Sequence, residues 1–370
     1  RGSEENNKAP VLSTLDVTLG ATSGSAQAVS VSFAAGTDDE FVHHYQLVVS
    51  EKSGNVLSTY NILSDFYRHA NTADMQTTWE KELAALPKGG TYVVTLTAYD
   101  SWGAASNTLT KEFKTASNNP EDSKLPDAYV DFDFKDGTVI DTKGNVTIEN
   151  KGATVGTAAV TAGTKSATVN ALRVNNSGEY VLCTFNKLDT SDAVKEWAEN
   201  GFTVEAFYVM GTKGGVQGVV CGTEQANSTK LRGGWGIAEN AGKPYFITAS
   251  SKNAYDSANT TAAAASSTTE LVHVVAVYDY AAGKQYLYIN GECVNPDGQA
   301  LSGEFAPAGA EAFNKFCLGA DYRETAKVTS TTPIDYPTKD MTMVDAKIYS
   351  SALTAEQVQT AYENALDSLN

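Results

Sequence analysis

The stretch Glu270-Leu-Val-His-Val-Val-Ala-Val-Tyr-Asp-Tyr-Ala-Ala-Gly-Lys-Gln-Tyr-Leu-Tyr-Ile-Asn-Gly-Glu-Cys-Val294 spells three strands and two turns. Residues 272–280 are β-branched and aromatic, the composition of a pleated, buried strand. A glycine-containing turn follows at 281–284, after which Tyr286 and Tyr288 alternate with Leu287 and Ile289. Asn290-Gly291 then closes a tight hairpin, because both residues tolerate the positive φ that such turns require. The stretch is a β-meander, and it sets an all-β expectation for the chain around it.

Composition agrees. With 370 residues the chain exceeds the usual single domain, so two domains are expected. Thirty glycines and eighteen tyrosines, with abundant Thr, Ser and Val, suit many short strands and turns. The net charge of -17 argues against nucleic acid or an anionic membrane as partner, since phosphates need clustered Lys and Arg. Neutral sugars and cations stay open. No apolar run approaches the roughly 18 residues of a transmembrane segment. Residues 1–8 read as a tag remnant and flexible start, any signal peptide having been removed. Cys183, Cys221, Cys293 and Cys317 lie in apolar strand patterns at spacings unlike zinc sites. They are read as buried free thiols, with one or two disulfides as the alternative.

The meander also carries a resemblance. His273-Val-Val-Ala-Val-Tyr-Asp279 followed by Leu287-Tyr-Ile-Asn-Gly291 resembles the centre of the laminin-G-like, concanavalin A-like lectin/glucanase jelly roll, with Leu271 where that family often has Trp. Three more blocks match in order. Asp136-Gly-Thr-Val-Ile-Asp141-Thr-Lys-Gly-Asn145 resembles the family's opening turn, and Phe202-Thr-Val-Glu-Ala-Phe207 its "Phe-Thr-Val-x-x-Trp" strand, with Phe207 for the tryptophan. Asp345-Ala-Lys-Ile-Tyr349-Ser-Ser-Ala-Leu353-Thr-Ala-Glu356 resembles its closing signature, leading into a helix with Thr354 and Gln357 as a capping box and Leu353 with Val358 as a hydrophobic staple. Residues 128–370 are therefore expected to form the jelly roll. Within them Ser191-Asp-Ala-Val-Lys-Glu-Trp197 reads as a short helix, and residues 258–269, rich in Ala, Ser and Thr, as a mobile surface loop.

Residues 9–116 read as a β-sandwich. Leu86-Pro-Lys-Gly-Gly-Thr-Tyr92-Val-Val-Thr-Leu-Thr-Ala98 resembles the fibronectin type III signature, with Tyr92 at the position that ties a sandwich corner. Residues 117–127, polar and with two prolines, are the expected linker. Such pairs occur in exported bacterial proteins, so the resemblance implies export to the cell surface or periplasm, with a lipid anchor on the full-length precursor as one means of attachment.

Function must come from a site, because enzymes and lectins share this jelly roll. A glycosidase needs two carboxylates about 5–9 Å apart, and the Glu-x-Asp-x-x-Glu strand of laminarinase-like relatives is absent. Nucleophile-elbow, P-loop and two-metal phosphoesterase motifs are absent too, so the chain is read as non-catalytic. His273 is expected to be a hydrogen-bonded interior histidine. The family often holds a calcium ion, which by position implies Asp133, Asp141 and Asp345 as ligands, against their plain reading as turn and strand polars. Sugar recognition pairs aromatic faces with directional polar groups. Trp235, Tyr255, Tyr322 and Arg323 are the candidates, against a core role for Trp235. The expected function is recognition of a glycan or glycoprotein; the alternative is an accessory module that spaces or docks a catalytic partner such as a phosphoesterase or glycosidase.

Overall fold

The computed structural model describes residues 4–67, 75–222, 224–225, 232–250, 257–309, 311–323 and 333–370. The chain divides into two compact units, Arg1–Asp122 and Ser123–Asn370. Among the described residues no helix is long and apolar enough to cross a membrane.

The first unit stacks two four-stranded antiparallel sheets. One contains Asp16–Ser23, Ala26–Ala34, Thr78–Glu82 and the short Leu86–Pro87; the other runs in the order Val56–Leu63, Val42–Glu51, Thr91–Asp100, Leu109–Lys114. Alternation decides the inner face: Val94, Leu96 and Ala98 are buried against Val29, Val31, Phe33 and Trp79 of the opposite sheet. The Tyr92 hydroxyl donates to the Pro87 carbonyl at 3.0 Å, closing the corner that Leu86-Pro-Lys-Gly-Gly predicts.

The second unit packs a ten-stranded sheet on a nine-stranded one over a single core. Asn290 and Gly291 take φ 50° and 81°, and the meander strands Val272–Asp279 and Lys284–Ile289 pair across their turn. Phe202–Met210 lies between Val272–Asp279 and Met341–Tyr349. Its even-numbered residues Phe202, Val204, Ala206 and Tyr208 enter the core between the sheets. Phe207, on the opposite face, is covered by the hairpin of Thr154–Ala162 with Lys165–Val174 and by Ala365 and Leu369 at the end of the chain. The terminal helix, Ala355–Asp367, starts at Thr354 with a complete capping box, and Leu353 and Val358 share one buried cluster. Thr190 caps the short helix Ser191–Glu199, and Gly201 leaves it at φ 98°.

Two features depart from the sequence reading. The hairpin of residues 154–174 makes nine cross-strand pairs that the sequence does not announce, because its alternation is written in Ala, Thr and Gly instead of bulky residues. Residues 258–269 do not form a free loop: Ser257–Thr261 is a strand paired with Lys243–Ala249. Ser266 is tied to buried Glu239, its hydroxyl 2.8 Å from Oε2, while Lys213 donates to both Glu239 and Ser266. The four cysteines are free thiols, buried except for half-buried Cys293.

Candidate functional site

Strand register gathers several chain segments at one end of the nine-stranded sheet. Cys221 pairs with Gly236, Trp235 with Thr248, and Ala249 with Ser257, so the chain leaves and re-enters the sheet there in adjacent strands. Asp321 joins the same end by pairing in parallel with Cys221. Gly218 permits this approach: a Cβ there would stand 2.6 Å from the Ala320 carbonyl carbon, closer than packing allows. Asp321–Tyr322 then pairs with Ile334–Asp335, and the Arg323 N–H donates to the Pro333 carbonyl at 2.7 Å.

This short hairpin holds one cation among two carboxylates. Arg323 is buried, with Nε 3.2 Å from Asp321 Oδ2 and Nη1 2.6 Å from Asp335 Oδ2. Its guanidinium carbon stands 4.7 Å from the centroid of the Tyr336 ring. Burial opposes the guanidinium charge, yet Asp321, Tyr336 and Asp335 hold it more firmly than in water, so its pKa moves upward. Tyr336 is fixed in turn. Its backbone is left-handed at φ 49°, its N–H donates to Asp335 Oδ1 at 2.7 Å, and its carbonyl accepts from Gly218 N at 2.8 Å. The result is a platform in which the half-buried Tyr336 ring stands beside a clamped arginine.

The expected site residues fall out as follows. Trp235 is 3 % exposed and packs on Phe202 and Phe316, so its ring belongs to the core and offers no stacking face. Tyr322 is half-buried beside Tyr180, Leu182 and Ile334, and Arg323 is buried and ion-paired instead of reaching outward. Tyr255 lies outside the described residues. Asp335 and Tyr336 were missed, although the repeated Asp-Tyr at 321–322 and 335–336 was a usable signal.

Two of the three carboxylates expected to bind calcium, Asp141 and Asp345, have protein partners. Asp141 is a turn residue: Oδ1 accepts from the N–H groups of Asp131 and Lys143, Oδ2 from those of Asn145 and Val146. Asp133 sits half-buried opposite Ile140 in the sheet. Asp345 is ion-paired with Lys347. Among the described residues no group of three or more His, Cys, Asp or Glu is placed to hold a metal ion.

Asp345 belongs to a polar row on the face of the ten-stranded sheet turned away from its core. Asp131, Lys347 and Glu205 lie opposite one another on three neighbouring strands. Glu205 Oε2 is 2.7 Å from His273 Nε2, and its Oε1 accepts from the Tyr349 hydroxyl at 3.0 Å. Burial raises the Glu205 pKa, but His273, Lys347 and Tyr349 outweigh it and hold the carboxyl below its ordinary value. Burial pushes Asp345 up to about 6 despite Lys347. The Tyr362 ring of the terminal helix stands 5.6 Å from that of His273, so the dyad is closed over by protein.

A separate cleft of about 630 Å³ opens between the terminal helix and residues 262–271, walled by Phe207, Leu271, Tyr362 and Leu366. Three of its polar groups are engaged within the protein: Asn290 Oδ1 accepts from His273 N, Ser266 bonds Glu239, and Lys165 donates to the Leu366 carbonyl. Glu270 and Thr164 also line it.

Residues 184–359 match the family model described as the concanavalin A-like lectin/glucanases superfamily, and the second unit is a concanavalin A-like domain. No curated protein matches the chain in sequence. Among solved structures, the binding domain of botulinum neurotoxin DC, determined in complex with rat synaptotagmin II, is 12% identical with a TM-score of 0.42, covering 65% of this chain and 51% of its own. The CBM40 domain of the Ruminococcus gnavus IT-sialidase, bound to α2,3 sialyllactose, is 12% identical with a TM-score of 0.39, covering 52% of this chain and 96% of its own. The leech intramolecular trans-sialidase, complexed with 2,7-anhydro-Neu5Ac, is 16% identical with a TM-score of 0.35, covering 52% of this chain and 27% of its own. The chain spans about half the length of the botulinum toxin domains it matches.

Proposed function

We propose that the second unit is a non-catalytic carbohydrate-binding module whose ligand sits on the Arg323 platform. The observation that carries this reading is Tyr336, a bulky non-glycine residue at φ 49° whose ring faces a guanidinium fixed by two carboxylates. Such a backbone costs about 1–3 kcal/mol and persists where the surrounding structure needs the side chain in that place. The ring of Tyr336 supplies a face for the C–H surface of a sugar, and the lone pairs that the half-exposed Asp335 carboxylate keeps beyond its bonds to Arg323 and to Tyr336 N supply acceptors for hydroxyls. The match of residues 184–359 to a lectin/glucanase superfamily agrees with this reading without deciding it.

Charge selects the sugar. Among the described residues one guanidinium faces two carboxylates, on a chain of net charge -17, so a neutral glycan is favoured over a sialylated or sulfated one. Hydrolysis is not part of the proposal, because Asp321 and Asp335 are both engaged by Arg323 instead of flanking an open space. A glycan array probed with the full chain tests the reading. Binding confined to neutral glycans supports it; silence across the array, or binding only to sialylated members, rejects it and moves the protein to the accessory-module reading.

A further inference from the structure

The first unit holds two of the four histidines side by side, His43 and His44. Consecutive strand residues ordinarily point to opposite faces. Here the ladder slips: Val42 pairs with Asp100 and His44 with Tyr99, so His43 is the extra residue of a β-bulge. The bulge is held from the other side, where the His43 carbonyl accepts from Ser64 N at 3.0 Å. Its effect is to turn both imidazoles together. Their Nδ1 atoms stand 2.8 Å apart with the ring planes at 85°, and His44 is braced by stacking on Tyr99 at 4.9 Å. Both residues are half-buried, so the pair is reachable from solvent.

From this geometry we infer that His43 and His44 form a two-nitrogen site for a tetragonal divalent transition-metal ion, Cu²⁺ ahead of Ni²⁺, completed by water. Two nitrogens each about 2.0 Å from a metal lie about 2.8 Å apart when they subtend a right angle, and about 3.3 Å apart at the tetrahedral angle of zinc. The observed spacing fits the right angle. At 2.8 Å the two Nδ1 atoms are close enough to share one proton; a metal held at a right angle sits off the line between them, with both imidazoles carrying their protons on Nε2. Because the bulge and the Tyr99 stack fix the rings beforehand, little side-chain freedom is lost on binding. Bulges are over-represented where a sheet re-aims side chains for function, which is what this one does.

Titration of the full chain with CuSO₄, followed by electron paramagnetic resonance and calorimetry, tests the inference. One equivalent of Cu²⁺ bound, with a tetragonal spectrum split by two nitrogens, is expected, and Zn²⁺ should bind at least tenfold more weakly. His43→Gln and His44→Gln should each weaken Cu²⁺ binding at least tenfold while the thermal transition stays in place. Absence of stoichiometric binding, Zn²⁺ binding as tight as Cu²⁺, or binding unchanged in both folded variants would overturn it. The inference stands apart from the carbohydrate proposal and survives or fails without it.

Discussion

Glu205 Oε2 and His273 Nε2 meet at 2.7 Å on adjacent strands, with Glu205 3 % and His273 0 % exposed. The pair is diagonal across the ladder, Glu205 lying opposite Val275 and His273 opposite Phe207. His273 Nδ1 has no hydrogen-bond partner, so among the described residues Glu205 is the carboxylate that satisfies this ring. A buried acid that serves a histidine, a tyrosine and a lysine at once is costly to remove.

Glu205→Ala should therefore destabilise the second unit by on the order of 3–5 kcal/mol, since it strands His273 and the Tyr349 hydroxyl in the interior. Chemical denaturation of wild type and variant measures this. A loss below about 1 kcal/mol would show that the row tolerates the gap.

Asp345 makes a prediction about pH. Its folded-state pKa is raised from 3.8 to about 6 by burial, so between those values the folded protein holds the proton more tightly than the unfolded chain. This group's contribution to stability is therefore present below about pH 4 and is lost as pH rises to about 6. Asp345→Asn removes that dependence. Each step of one pH within that window is worth about 1.4 kcal/mol, so the variant's stability relative to wild type should rise from pH 4 to pH 6 by on the order of 2 kcal/mol. Parallel melting curves across that window would contradict the assignment.

Lys213 bears on the segment the sequence suggested was mobile. Glu239 is fully buried and accepts from Tyr208, Lys213 and Ser266. Lys213→Ala should cost on the order of 3 kcal/mol by leaving Glu239 short of its countercharge. It should also speed amide exchange at residues 262–267, where Ser266 loses a partner. Exchange unchanged there would mean that the loop is held by other contacts.

The division at residues 122–123 predicts that 123–370 expressed alone unfolds in one cooperative transition with its meander intact. A fragment lacking a sharp transition would show that the second unit needs the first.

Legibility in the sequence followed the range over which each signal acts. The Asn290-Gly291 turn, the Thr354 capping box and the Tyr92 corner are local, each written within six residues, and each appears as expected. The jelly roll itself was readable because its strand motifs are spaced along the chain in order. What failed was burial set by distant covering. Trp235 sits in a glycine-rich segment that left a binding role and a core role both open; Phe202 and Phe316 from other strands close over it. Glu205 reads as a polar residue in a strand; its partners come from residues 68 and 144 positions away. The repeated Asp-Tyr marks the position of Tyr336 but not its left-handed backbone, which is held in part by distant Gly218.

The central claim is that the Tyr336 ring is kept at a strained backbone position for a ligand. Tyr336→Gly isolates it, since glycine adopts φ 49° freely and so removes the ring while relieving the backbone. The measurement is calorimetric titration of the strongest neutral glycan from the array into wild type and Tyr336→Gly, each checked by its melting temperature. The account predicts affinity at least tenfold lower with a melting temperature within a few degrees of wild type. Unchanged affinity in the folded variant would contradict it.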